Sequence, residues 1–330
     1  MARRPGTQFQ VFATLFVIGG IGLGYWMFWQ PSPDSPDEIQ DQAFVPLTSD
    51  RPESAELDGG PQANVPERGT DPEADRKRSA QDVDRGRVLS ASGRKAMDQG
   101  QLVTARAQLS EALQHELPLD ERVKLRADLT RLARQTVLSS AVLPDDPFVE
   151  HYTVEPGESL NKIAKRFKVT DDFLAAVNNI SDKNQIRAGQ RLKVVKGPFH
   201  AVVTKADYAM DIYLQGTFIK RFPVGLGAED GTPTGVWKVK NKLKNPQYYP
   251  PRGGQIILAD DPENPLGERW IGMEGVEGQA LGQLRYGIHG TIEPDSIGKS
   301  VSLGCIRMHN VDVEEVYDLL VVGQSKITVK

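Results

Sequence analysis

Residues 8–29 read QFQVFATLFVIGGIGLGYWMFW, a stretch of 22 residues without a formal charge. As a helix rising about 1.5 Å per residue, such a stretch covers a hydrocarbon layer of about 30 Å, and it predicts a transmembrane helix. Arg3 and Arg4 precede it and the following segment is acidic. This charge bias predicts that residues 1–7 stay in the cytoplasm and that the rest of the chain is exported. Tyr25, Trp26, Phe28 and Trp29 form an aromatic belt at the outer end. A cleaved signal peptide is the competing reading, but the run is long, ends in bulky aromatics and lacks a small-x-small cleavage site. The expectation is an uncleaved, single-pass inner-membrane anchor with the folded domains in the periplasm or wall space.

Beyond the anchor the composition shifts. Between Pro31 and Ala80 there are eight prolines, twelve acidic residues, five basic ones and one aromatic, Phe44. Such a segment buries too little apolar area to offset its ordering entropy, so residues 30–85 are expected to be a disordered acidic, Pro-rich linker. Residues 86–143 turn to helical periodicity. Leu102, Ala105, Leu109, Ala112 and Leu113 share one stripe, and Leu125, Leu129, Leu132 and Ala133 another. The pattern is similar to one tetratricopeptide unit, which cannot bury its own face. It reads either as a small helical spacer or as a docking segment for a protein partner.

Residues 150–197 carry a compact pattern. Tyr152–Val154 alternates as a strand, Pro156-Gly157 makes a turn, and Ser159 can cap a helix whose apolar face is Leu160, Ile163, Ala164 and Phe167. Thr170 can cap a second helix, with Val169 and Leu174 as a hydrophobic staple, and a last strand covers Arg191–Val195. This βααβ order, with Tyr-Thr-Val, Pro-Gly-Glu-Ser-Leu, Ile-Ala and Ala-Gly-Gln-x-Leu, resembles a LysM domain. The resemblance implies binding of N-acetylglucosamine-containing glycan, here peptidoglycan. The loop Ile180–Ile186 is longer than that pattern and no proline closes the last strand.

Residues 198–330 alternate short strand-like runs with glycine and proline turns. His200–Lys205, Ala209–Leu214, Thr217–Val224, Gly235–Lys240 and Lys326–Lys330 have strand character, and Val313–Val322 suggests one helix. The segment is mainly β and too irregular for a βαβ sheet.

Cys305 is the one cysteine in 330 residues. A disulfide framework, an iron–sulfur cluster and a multi-thiolate zinc site are thereby excluded. The net charge of −4 offers no basic field for nucleic acid. A lone cysteine can be a small buried apolar residue. Here Gly304 precedes it, allowing close approach of a carbonyl, and Arg307 follows, favouring a thiolate. His289, sixteen residues upstream in a His-Gly turn, could take the thiol proton and give a thiolate–imidazolium pair. A metal pair with His309, four residues on, would need a helix, where Gly304 fits badly; neither metal nor cofactor is expected.

Four stretches, Thr232-Pro-Thr-Gly235, Asn264-Pro-Leu-Gly267, Ile288-His-Gly-Thr291 and Ser302-Leu-Gly-Cys-Ile-Arg-Met308, together resemble the L,D-transpeptidase catalytic domain of the YkuD family. The resemblance implies that Cys305 is the nucleophile, that His289 is its general base and acid, and that the Gly290 carbonyl orients the imidazole. Backbone N–H groups at Gly304 and Cys305 would bind the oxyanion, with Ser302 and Arg307 on the same oxyanion and substrate side. Many members carry histidine where this chain has Leu303. The implied reaction is acyl transfer on peptidoglycan. A stem tetrapeptide is the donor, a cysteine thioester the intermediate and a side-chain amine the acceptor, giving a 3→3 cross-link. Water as acceptor gives carboxypeptidase activity and a protein amine gives lipoprotein anchoring. A non-catalytic wall tether and a cysteine hydrolase of other amides are the rival readings.

Overall fold

The structure is a computed structural model and describes residues 72–250 and 253–330. Residues 1–7, the apolar run 8–29 and the spacer as far as residue 71 lie outside the described residues. Among the described residues no helix is long and apolar enough to cross a membrane.

The first element is helix α1 (Pro72–Asp98), so helix begins fourteen residues before the 86 expected from composition. Within that span the last proline is Pro72, which sits at the helix start, where its missing N–H costs nothing. Two acidic residues of the expected linker have partners in the fold. Glu73 pairs with Lys77 one turn on at 2.8 Å, and Asp82 accepts from the Glu116 backbone N–H at 2.8 Å while lying 2.7 Å from His115. Helices α2 (Leu102–Ala112) and α3 (Leu119–Gln135) follow. Leu109, Leu125, Leu129 and Leu132 form a buried cluster that includes Phe218 from the C-terminal sheet. The apolar stripe that could have served a partner is therefore covered within the chain.

The next unit has strands β1 (Val149–Thr153) and β2 (Arg191–Val195) paired antiparallel, with α4 (Leu160–Phe167) and α5 (Asp171–Val177) between them. Both expected caps are present: Ser159 Oγ accepts from Lys162 N–H at 3.3 Å and Thr170 Oγ1 from Phe173 N–H at 3.0 Å. Val169 and Leu174 are both buried, consistent with the staple. Lys193 on β2 is buried and donates to the carbonyls of Thr136, Val137 and Ser139, just past α3. Burial lowers its pKa to about 8, and an ammonium with three carbonyl acceptors at a helix C-terminus remains charged at neutral pH.

The C-terminal unit comprises β3 (Phe199–Thr204), β4 (Ala209–Leu214), β5 (Thr217–Pro223), β6 (Leu226–Gly227), β7 (Gly235–Lys244), β8 (Arg269–Gly278), β9 (Tyr286–His289), β10 (Ser300–Ser302), β11 (Ile306–Arg307), α6 (Asn310–Leu319) and β12 (Lys326–Val329). Eight strands form one sheet in the order β11-β9-β8-β7-β12-β3-β4-β5, and β6 pairs with β10 apart from it. All neighbours in the large sheet are antiparallel except β9–β11 and β3–β12. Trp237, Ile271, Ile288 and Ile306 share a buried cluster with Val316 of α6 and with Ile163 and Leu174 of the βααβ unit. Thr170 Oγ1 also donates to the Asp318 carbonyl on α6. The βααβ unit is thus docked on the C-terminal unit through a common core.

Candidate active site

The site is assembled where the sheet ends in two short parallel strands. Register pairs Ile306 with Ile288 and Arg307 with His289. Cys305, immediately before β11, therefore lies beside Gly287, whose backbone favours the thiolate. On the other side of β9, Trp270 pairs with His289 and its ring stacks on the imidazole, with centroids 5.9 Å apart and planes at 21°. Only glycine fits at position 287, because a Cβ there would lie 2.5 Å from the Trp270 ring.

His289 is 5% exposed, and its Nδ1 lies 2.6 Å from the Gly290 carbonyl oxygen. A carbonyl only accepts, so Nδ1 carries the proton and Nε2 is left as the basic nitrogen. The expected role of the Gly290 carbonyl in orienting the ring has this bond as its geometry. Asn310, the first residue of α6, fixes the turn: its Oδ1 accepts from Thr291 N–H at 3.1 Å. That oxygen sits 2.0 Å from where a Cβ at Gly290 would be and 2.2 Å from one at Gly267, which is why both motifs need glycine.

Burial lowers the His289 pKa to about 4, opposed by its bond to Gly290 and reinforced by Arg307. Burial raises the Cys305 thiol, opposed by the Gly287 backbone and Arg307. Both directions keep the resting pair neutral, in contrast to the thiolate–imidazolium pair expected from the sequence. The cause is desolvation, which penalises each charged form.

The nucleophile loop is braced from within. Ser302 Oγ donates to the Cys305 carbonyl at 2.7 Å and accepts from Gly304 N–H at 3.1 Å. In this geometry Gly304 N–H is engaged by Ser302 Oγ, and both of these contacts of the Ser302 hydroxyl lie within the turn. Cys305 N–H makes no hydrogen bond among the described residues and remains the available backbone donor. Gly304 has φ +133°, and a Cβ would lie 2.6 Å from Tyr286 and 2.8 Å from the Gly231 carbonyl.

Thr232 supplies a brace that the sequence marked only as part of a motif. Its buried hydroxyl donates to the Gly304 carbonyl at 2.8 Å and accepts from Gly227 N–H at 2.8 Å. Arg307 is held by Glu293, with Nη1 to Oε2 at 2.6 Å, while its Nε is buried without a partner. The backbone of Arg307 exchanges two 2.9 Å hydrogen bonds with Gly225. Glu293 and Asn310 had no local signal, because each acts across a fold-dependent contact. Leu303 is 73% exposed at the loop tip. His309 caps α6 as its flanking residue, and the intervening β11 removes the helical spacing a Cys305–His309 metal pair would need. Among the described residues no group of three or more His, Cys, Asp or Glu side chains could hold a metal. The arrangement can take a proton from a thiol and return it to a leaving amine.

The L,D-transpeptidase catalytic domain model matches residues 198–329, and the LysM domain model matches residues 152–195. Two Bacillus proteins that bear the L,D-transpeptidase YkuD name are each 33% identical to this chain. The one from Bacillus licheniformis aligns over 177 residues, 51% of this chain and 92% of its own length. The one from Bacillus subtilis aligns over 186 residues, 54% of this chain and 97% of its own. A second Bacillus subtilis protein, bearing the L,D-transpeptidase YqjB name, is 38% identical over 130 residues, 38% of this chain and 69% of its own length.

Proposed function

Because the chain belongs to the YkuD family of L,D-transpeptidases, we propose that it forms 3→3 cross-links in peptidoglycan through a thioester on Cys305. The observation that carries the reading is the pairing of β9 with β11, which sets Cys305 across from Gly287, two residues before a His289 whose Nδ1 is fixed on the Gly290 carbonyl. Cys305 Sγ attacks the carbonyl of the third stem residue of a tetrapeptide donor, and the thiol proton passes to His289 Nε2. Proton transfer accompanies attack, since neither group is charged beforehand. Cys305 N–H stabilises the oxyanion, and Arg307 attracts a stem carboxylate. The tetrahedral centre collapses to the thioester as His289 gives its proton to the departing D-residue's amine. An acceptor amine then attacks the thioester, losing a proton to His289 and restoring the thiol.

The LysM domain holds the glycan carrying the donor stem, and its shared core with the catalytic unit sets that glycan beside the enzyme. Residues 8–29 anchor the chain in the inner membrane, with the catalytic domain in the periplasmic or wall space. The test is incubation of the full chain, in neutral detergent, with purified disaccharide-tetrapeptide and mass analysis of the products. A dimer one D-residue lighter than two donors is the expected product, absent with Cys305→Ala while the fold is retained. Trimmed monomer alone would replace cross-linking by carboxypeptidase activity. Dimer formed by the Cys305→Ala variant would sink the thioester mechanism.

A further inference from the structure

At the opposite end of the strand order, α3 lies against the terminal strand β5 and leaves a cleft of about 740 Å³ between them. The cleft is lined by five cations, Arg126, Arg131 and Arg134 from α3 and Lys220 and Arg221 from β5, and by no carboxylate. Two of these are neutralised locally: Lys220 pairs with Glu315 and Arg131 with Asp128. Arg221 donates to Asp211 at 2.6 and 2.8 Å and to Asp207 at 3.3 Å.

Arg126 is different. It is only 8% exposed, yet it makes no hydrogen bond, and its Nε and Nη1 are buried without a partner. Its one ion pair, to Asp211, spans 3.6 Å and uses a carboxylate that already serves Arg221. A guanidinium so deeply buried normally has its donors satisfied, since leaving them unmade costs the full desolvation penalty. Nε and Nη1 are closed to solvent as they stand, so the cation row explains the exception if a ligand in the cleft draws the guanidinium out toward it. Arg126 and Arg134 are eight residues apart, about 12 Å along the helix, and β5 supplies cations from the facing side.

We propose that this cleft is an anion-binding site for a phosphate group. Donors approach from two facing elements, more than the two coplanar oxygens of a carboxylate accept, whereas a phosphate offers three or more oxygens and up to two charges. β5 and β11 are the two terminal strands of the order, and none of the residues lining the cleft belongs to the nucleophile loop, so the cleft holds a ligand separate from the stem being processed.

The experiment is calorimetric titration of the full chain in neutral-detergent micelles with inorganic phosphate, at ionic strength held constant with chloride. Saturable binding is expected, weakened at least fivefold in Arg126→Met and in Arg134→Gln and unchanged in Cys305→Ala. Arg134 is exposed, so its variant keeps the test valid if Arg126→Met fails to fold. Heats no greater than those of chloride, or equal affinity in the Arg134→Gln variant, overturn the proposal. A second arm replaces free phosphate by micelles doped with phosphatidylglycerol and reads amide exchange in α3 and β5. Protection that is lost in Arg134→Gln identifies a lipid headgroup as the source. Absence of protection, with inorganic phosphate still bound, identifies a soluble or polymer-borne phosphate.

Discussion

At the β9–β11 end of the sheet, the polar groups around Cys305 are mostly matched within the chain: Ser302, Gly304, Thr232, Gly227 and Gly290 all spend their donors or acceptors on one another or on the His289 ring. At the β4–β5 end, buried Arg126 and half-buried Arg221 share Asp211, and Arg126 makes no hydrogen bond among the described residues. At the first end Arg307 is paired with Glu293, and the site is closed by sheet and loop. The second is charged and closed by a helix that arrives from an earlier part of the chain. The contrast separates two uses of burial. Near the nucleophile, burial removes charge and holds a reactive turn in one geometry. Under α3, burial joins a helical segment to the sheet through Phe218 and leaves cationic surface beside the joint.

The largest effect is expected at the first end. His289→Ala removes the group that takes and returns the proton, a role worth about 10²–10⁴-fold in rate. The check is kcat/KM for dimer formation, with circular dichroism to confirm folding. A loss below tenfold would mean that water or solvent base does this work and that the neutral pair is incidental.

At the second end, Phe218→Ala leaves a cavity where α2 and α3 meet β5. Phe218 is fully enclosed and meets Tyr213 edge-on, with centroids 5.9 Å apart. The expected cost is about 3–5 kcal/mol of stability, read from denaturant unfolding. The rate per folded molecule should stay within about twofold of wild type, since this variant leaves the hydrogen-bonded turn at Cys305 untouched. A fall in kcat without loss of stability would show that the two ends are coupled.

Thr232→Val returns to the first end with a smaller change. It keeps the shape but orphans the Gly304 carbonyl and Gly227 N–H, at about 1–3 kcal/mol. Because Thr232 positions the turn rather than touching substrate, kcat should fall about tenfold, which is about 1.4 kcal/mol and the lower part of that range, while KM holds. Thr232→Ser keeps the hydroxyl and should restore most of the rate.

The sequence made some of this legible and not the rest. Strands β3, β4, β5, β7 and β12 have strand character in sequence and start or end within a few residues of expectation, and β3 alternates cleanly between buried and half-buried positions. Strand β8 reads RWIGMEGVEG, whose glycines and glutamates break the alternation, and β9 has only four residues. Both are strands because neighbours on either side pair with them, a non-local cause. Helix α6 begins at Asn310 rather than Val313, because the early polar residues are used to brace Gly290 and cap the turn. Cys305, His289 and Gly290 were visible as motif residues. Thr232, Glu293 and Asn310 acquire their roles only when loops distant in sequence meet. The burial that sets the charge state of the pair could not be read from residue spacing at all.

That burial gives the smallest and most diagnostic prediction. With its pKa lowered to about 4, His289 is neutral in the fold and protonated in the unfolded chain between about pH 4 and 6.5. The unfolded state binds more protons in that window, so this residue's contribution to stability falls as pH drops from 6.5 toward 4 and is constant above 6.5. Activity needs the neutral ring, so the acid limb of kcat/KM should fall near pH 4. Between pH 8 and pH 6 the rate should change by less than about 10% on account of His289, whereas an ordinary histidine would already cost about fourfold at pH 6. A limb near 6.5 would overturn the neutral-pair assignment. Trp270→Ala distinguishes the source of the desolvation: if the stacked ring excludes the water, the limb moves up toward 6.5, and if the strands on either side of β9 do so, it stays where it was.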